Sequence, residues 1–335
     1  MEVYSYARGV ISETRESFGF FSVWATTTRT LFFFLTHCGI TMPSPTPSSS
    51  VVRISIAQMC STSSIEHNLT TIERLAKRAR ADRSKILFLP ENACFMGVPG
   101  TTMALDMAER LDDVEDPPTA ATAATTTAST TTVVGRLRAI ARQAELWISV
   151  GGFQERAPNE KIYNTHIVLD DVGRIVARYR KIHLFDYPAG GLVESRMTAP
   201  GEWIEVCETP FAGLNLGLSV CFDLRFPMLY SRLRESKANA MVVPAAFTIP
   251  TGQAHWETLL RARAIETQSF VIAAAQTGQH NEKRRSYGHG MVVDPWGRVL
   301  VEMGEAEGLA GVELEMGEVD EVRGRMPMWS PLLLG

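Results

Sequence analysis

From residue 51 onward the chain alternates between two hydrophobic periods. VVRISIAQM, residues 51–59, has period two and many β-branched residues, which predicts a strand. Ile65, Leu69, Ile72 and Leu75 then keep helical spacing, with Arg74, Lys77, Arg78 and Arg80 left to face water and Ser64 placed as a cap. KILFLPE, residues 85–91, is a continuous apolar run and predicts a strand buried on both faces, ending at Pro90 and Glu91. A helical stretch near 103–111 follows. VVGRLRAIARQAEL, residues 133–146, reads as an amphipathic helix, and LWISVGGF, residues 146–153, as a strand. IYNTHIVLDDVGRIVARYRK, residues 162–181, has two alternating runs joined through Asp170, Asp171 and Gly173, so it predicts a hairpin whose second strand ends at Lys181.

Residues 182–201 form a Gly- and Pro-rich loop of the length that walls pockets, and it contains Glu194. In GLNLGLSVCFDLRFPMLY, residues 213–230, Leu214, Leu216, Leu218 and Val220 alternate up to Cys221, and a helix is entered at Pro227. A helix near 229–235, the strand AMVVPAA and a long helix from about Ala254 to Gln268 come next; Arg261 and Arg263 in it read equally as surface charges or buried partners. VIAAAQTG, GMVVD, RVLVEM and GLAGVELE are further strands, with Asp294, Pro295, Trp296 and Gly297 as a tight turn. Interleaved strands and helices predict an α/β domain with a mixed sheet.

Three segments depart from these patterns. Residues 1–50 are an extension rich in Ser and Thr, with Arg8, Arg15 and Arg29 but also Glu2, Glu13 and Glu16. Two readings stand open for it: a transit peptide for a mitochondrion or other organelle, or a disordered tail ahead of a start at Met42. Its apolar run at 31–35 is far too short to cross a bilayer. Residues 112–133 are a low-complexity Thr/Ala insertion, and residues 327–335 a separate tail. The domain proper is 51–326.

Composition then narrows the chemistry. A net charge of -4 without a long basic run argues against nucleic acid as a partner, and no segment predicts membrane association. Five scattered cysteines, Cys38, Cys60, Cys94, Cys207 and Cys221, do not form a disulfide framework and point to a reducing compartment, the cytoplasm first. There is no CxxC, HxH or HExxH, so neither metal nor cofactor is expected.

What remains is a pattern of three strand ends. Glu91, Lys181 and Cys221 each terminate an apolar strand, where open α/β sheets place their chemistry. Each has an ordinary reading too: a capping carboxylate, a solvated lysine, a small buried thiol. A peptidase pairing Cys221 with a histidine is a second enzymatic reading, and a catalytically silent interaction protein a third.

Taken together and in order, FLPE, YRKIHLF and SVCFDLRFP resemble the Glu-Lys-Cys motifs of the nitrilase superfamily of carbon–nitrogen hydrolases, from about Val51 to Met326. HWETLLRARAIETQSFVIAAAQTG and SYGHGMVVDPWG are similar to its Nit branch. The resemblance implies a four-layer α-β-β-α sandwich, paired as a homodimer, and an amidase acting on a small-molecule amide without a cofactor. It implies Cys221 as nucleophile, Glu91 as general base, Lys181 with the backbone N–H of Phe222 as oxyanion site, and Glu194 as the carboxylate that positions Lys181. Phe247, Thr248 and His255 follow the next strand end and are candidate pocket residues; Asp223 and Arg225 read as braces of the turn. The expected reaction is hydrolysis of a primary amide of a small acidic metabolite with release of ammonia, deaminated glutathione first and α-ketoglutaramate or a related dicarboxylate monoamide second. Two carboxylates around one ammonium should raise the pKa of one of them, which suits a base near neutral pH. Phe222 stands where the family more often has Tyr, and the tail MPMWSPLLLG lacks the basic, Tyr-containing ending of the Nit branch.

Overall fold

A computed structural model describes residues 51–111, 131–188 and 191–328. The extension at 1–50, nearly all of the 112–133 insertion and the end of the tail lie outside the described residues. Among the described residues no helix is long and apolar enough to cross a membrane.

The first sheet begins with β1 (Val51–Met59), β2 (Ile86–Leu89), β3 (Trp147–Arg156), β4 (Ile162–Leu169) and β5 (Ile175–Arg180). After a two-stranded ribbon, β6 (Asp186–Tyr187) and β7 (Leu192–Val193), the chain enters a second sheet through β8 (Val206–Glu208), β9 (Asn215–Leu218), β10 (Ala240–Val242) and β11 (Phe270–Ala273). It returns to the first in β12 (Ala275–Asn281) and β13 (Arg284–Tyr287), revisits the second in β14 (Met291–Val293) and β15 (Val299–Glu302), and closes on the first with β16 (Gly308–Glu315). The spatial orders are β13-β12-β1-β2-β3-β4-β5, with β16 also on β1, and β15-β14-β11-β10-β9-β8. Both sheets mix parallel and antiparallel pairs.

Their inner faces meet in one apolar layer that includes Ile54, Phe88, Leu216, Leu218, Val242 and Ile272. On the outside of the first sheet lie α1 (Ile65–Ala81) and α3 (Val133–Ala144), with the single turn α2 (Met103–Asp106) between them in sequence. Outside the second sheet lie α4 (Pro227–Glu235) and α5 (Ile249–Thr267). The short α6 (Gly317–Arg325) ends the described chain. The result is the α-β-β-α sandwich that the motifs implied.

Most local expectations hold. Ser64 caps α1 by accepting from the His67 N–H, Pro227 is the first residue of α4, and the Asp170 carboxylate takes the N–H groups of Val172 and Arg174 in the β4–β5 turn. Four differ. The helix expected at 103–111 is one turn, because Glu109 leaves it to bridge to β3 and to cap α3 through the N–H groups of Val133 and Val134. The long helix starts at Ile249, ahead of the expected Ala254: Pro250 fits a first turn, and Gly252 is what admits the Tyr287 ring, since a Cβ there would lie 2.2 Å from it. VIAAAQTG divides between sheets, with Ala274 at the crossing, so one apolar run serves two layers. Strands β8 and β13 and the β6–β7 ribbon were not anticipated.

Candidate active site

The expected residues converge where strands of both sheets end. Glu91 follows β2, Lys181 follows β5, and Cys221 follows β9, while Glu194 opens a short 3-10 turn after β7. A bulge in β3 between Val150 and Phe153 makes the room. It contains Gly151 and Gly152, and a Cβ on Gly152, whose φ is +65°, would lie 2.4 Å from the Asn92 nitrogen and 2.9 Å from Glu91 Cγ. A Cβ on Gly151 would fall 2.1 Å from that of Pro244, so the glycines also let the sheets approach.

Cys221 has φ 48°, a left-handed conformation that costs a non-glycine residue of order 1–3 kcal/mol and turns the chain sharply out of the strand. The surroundings hold this turn from two sides. The Cys221 N–H donates to the Pro244 carbonyl (2.9 Å). Asp223, fully buried, accepts from the N–H of Val220 (2.9 Å), the N–H of His183 (3.0 Å), the His183 ring (2.7 Å) and the Tyr179 hydroxyl (2.8 Å). Asp223 is therefore the brace it was read to be. Phe222, the next residue, packs its ring between Phe185 and Phe226.

Lys181 is buried between two carboxylates, with Nζ 3.3 Å from Glu91 Oε1 and 3.1 and 2.9 Å from the two oxygens of Glu194. Asn164, on β4, donates from one nitrogen to both acids, at 2.9 Å to Glu91 and 3.1 Å to Glu194. Both bonds to Glu91 reach Oε1, and its third partner is the Cys221 thiol. The Glu194 carboxylate is fixed further by the Phe185 N–H (2.7 Å). Asn164 was missed in the sequence; the available signal was a run of three polar residues, Asn164, Thr165 and His166, inside an otherwise apolar strand.

These contacts set the charges. Burial would push Glu91 up, but the Lys181 ammonium, the Arg284 guanidinium and the bonds from Asn164 and Cys221 outweigh it and hold the carboxyl below its usual range. Burial would push Lys181 down, and Glu194 and Glu91 reverse that, leaving it above the usual lysine range. For Cys221, burial and the Glu91 charge push the thiol well up against the opposing pull of Lys181 and the Ala246 N–H. The resting site is thus carboxylate, ammonium and neutral thiol. The expectation of a raised carboxylate pKa is corrected for Glu91: an ammonium in direct contact outweighs a second acid on that ammonium's far side.

The pocket candidates separate. Phe247 packs at a tilt against Trp256 and lies under the Arg225 guanidinium, 5.4 Å from the ring centre, and His255 meets that guanidinium at 3.2 Å. Arg225 also lies 5.8 Å over Phe222, and burial lowers its pKa from the ordinary arginine value. Its contacts thus lie with Phe222, Phe247 and His255. Thr248 bonds Thr251 (2.9 Å) at the start of α5. Arg263, left open by the sequence, is buried and donates to the Leu224 carbonyl (3.1 Å), while Arg261 stays at the surface with Glu257. Burial pushes the Cys94 and Cys207 thiols up to about 12, so both stay protonated. Among the described residues no cluster of His, Cys, Asp or Glu could hold a metal ion.

A thiol, a carboxylate and an ammonium converging at strand ends of an α-β-β-α sandwich define a class. The carbon–nitrogen hydrolase family profile matches residues 53–324, and the chain belongs to that family, as an enzyme that hydrolyses amides. It is 39% identical to a deaminated glutathione amidase of Dictyostelium discoideum over 83% of this chain and 92% of that one. It is 38% identical to the human protein of the same name, over 82% of this chain and 80% of the other. Among solved structures, the Caenorhabditis elegans NitFhit protein superposes with a TM-score of 0.73 at 38% identity over 84% of this chain, which spans 65% of that longer chain. Saccharomyces cerevisiae Nit3, a member of the nitrilase superfamily, superposes at 0.69 with 28% identity, over 84% of this chain and 96% of that one.

Proposed function

We propose that this enzyme hydrolyses deaminated glutathione, with Cys221 as nucleophile and Glu91 as base. The observation that carries the mechanism is the row Cys221, Glu91, Lys181, Glu194, in which Lys181 bonds both carboxylates and Glu91 interacts with the thiol. Because the resting thiol is neutral, its proton passes to Glu91 as sulfur attacks the amide carbon. The carbonyl oxygen becomes an oxyanion, met by Lys181 Nζ and the Phe222 N–H; losing one such donor costs ~10²- to 10³-fold in rate. Collapse expels the nitrogen, which takes the proton from Glu91 and leaves a thioester on Cys221. Water then attacks that thioester with Glu91 again as base, which releases the acid and restores the thiol. Glu194 and Asn164 keep the ammonium and the base in register.

The leaving group follows from the substrate. Replacing the amino group of glutathione by a keto group leaves only peptide-type amides, so cleavage beside the 2-oxo diacid frees a dipeptide amine. The primary amide and ammonia release expected from the sequence are therefore corrected for deaminated glutathione; they hold for α-ketoglutaramate, which carries the same acyl half. Arg225, over the rings of Phe222 and Phe247, supports an acidic acyl half in either case. The test gives both amides to the purified chain and to Cys221→Ala. A higher kcat/KM for deaminated glutathione with dipeptide release, lost in the variant, upholds the reading; preference for α-ketoglutaramate with ammonia release moves the enzyme to ω-amidase chemistry. Loss of hydrolysis on replacing one histidine by Gln, with that histidine as general base, would instead revive a Cys-His site, yet His183 is held by Asp223 and His166 by Ser149 and the Ser219 carbonyl. Pairing into a homodimer, independence from nucleic acid and a cytoplasmic or organellar location belong to the same proposal, and light scattering, gel shift and cell fractionation test them.

A further inference from the structure

Arg284 opens β13, and the alternation of that strand decides where it faces. Arg285 and Tyr287 turn one way, the first toward Glu305 (3.9 Å), the second over Gly252. Ser286 turns the other way and is buried. It bonds the His280 ring (2.8 Å), whose other nitrogen meets the Ser61 carbonyl (2.8 Å). Ser61 bonds the Ala93 carbonyl (2.9 Å), and Gln276 ties the Ser61 hydroxyl (2.7 Å) to the Glu91 carbonyl (3.0 Å). Two residues before Ser286, Arg284 shares this face, the one turned to residues 91–93. Its guanidinium forms no salt bridge among the described residues, whereas Arg285 beside it reaches Glu305. Its charge is felt at Glu91 and at His280. A half-buried cation in no salt bridge among the described residues, on the strand face turned to residues 91–93, is a place for an anion.

Its position relative to the chemistry tells which anion. The leaving nitrogen takes its proton from Glu91, so the amine half of the substrate lies on the Glu91 flank. The other cation, Arg225, lies on the Cys221 flank with Phe222 and Phe247. We infer that Arg284 binds a carboxylate carried by the amine half of the substrate, so that the enzyme selects amides whose leaving group is an acidic amine, such as a peptide fragment with a free C-terminus. The inference rests on the proposed function above and makes it more specific: ammonia carries no group for Arg284 to hold.

The test uses the full chain and two synthetic amides that differ in one group: deaminated glutathione with its free terminal carboxylate, and the same molecule with a terminal carboxamide. The wild-type enzyme should favour the carboxylate in kcat/KM by roughly tenfold to a hundredfold, as for a charge-assisted hydrogen bond. In Arg284→Ala that preference should fall to near one, and Arg284→Lys should keep part of it. An unchanged preference in Arg284→Ala, or equal cleavage of both amides by the wild type, overturns the inference while leaving the amidase reading intact. If the wild type cleaves neither amide, the substrate reading itself falls and this inference with it. Altered folding of the variant cannot imitate the expected result, because the ratio is taken within one enzyme preparation.

Discussion

Two buried carboxylates flank Cys221, and their hydrogen bonds separate a base from a brace. Asp223 accepts four bonds, spread over both oxygens, from donors fixed in the backbone or in packed rings. It has no capacity left for a proton. Glu91 takes its two bonds from Asn164 and Lys181 on one oxygen only, and its remaining partner is the thiol whose proton it takes in the proposed mechanism. Burial is the same for both; unfilled acceptor capacity is what differs.

The largest expected effect tests that division directly. Glu91→Gln keeps the shape but not the basicity, so kcat should fall by ~10²- to 10⁴-fold with little change in thermal unfolding. Asp223→Asn should do the reverse: an amide nitrogen would face donors, and stability should fall by about 1–3 kcal/mol per unsatisfied group in denaturant titrations. If Asp223→Asn lost activity at full stability, the distinction would fail.

Next is Gly152→Ala, whose Cβ would press on Asn92 and Glu91. We expect a loss of about 10²-fold in kcat, the cost of displacing a catalytic group by an ångström, read in the same hydrolysis assay. A smaller effect is expected from Asn164→Ala, which removes a donor from Glu91 and so raises its pKa; kcat should fall about tenfold and the acid limb of the pH profile should move to higher pH.

The mildest prediction concerns the wild type alone. Because Glu91 is held below its ordinary value of 4.5, kcat/KM should stay level from neutral pH to about 5 and decline only below that. The matching stability contribution, from a lowered carboxyl, is present above the ordinary pKa and lost as pH falls through the lowered one. An acid limb near neutrality would mean that burial wins at Glu91.

The sequence by itself determined most strands and most helices, because period two and period 3.6 report which side of an element is buried, and that is local information. Three motifs in order were also enough to single out Glu91, Lys181 and Cys221, and the resemblance they carry pointed to Glu194. Only the tertiary structure decided what each group meets. Glu91 and Lys181 are 90 residues apart and Glu91 and Asn164 are 73, so no window could show that a lysine and an asparagine share one carboxylate oxygen. The division of residues 270–281 between two sheets was hidden for a related reason: an apolar run signals burial without saying in which layer. Charge state was hidden most of all. A carboxyl's pKa is the sum of desolvation and of neighbours' charges, and for Glu91 the neighbours that turn the sum downward come from β4, β5, the end of β9 and β13.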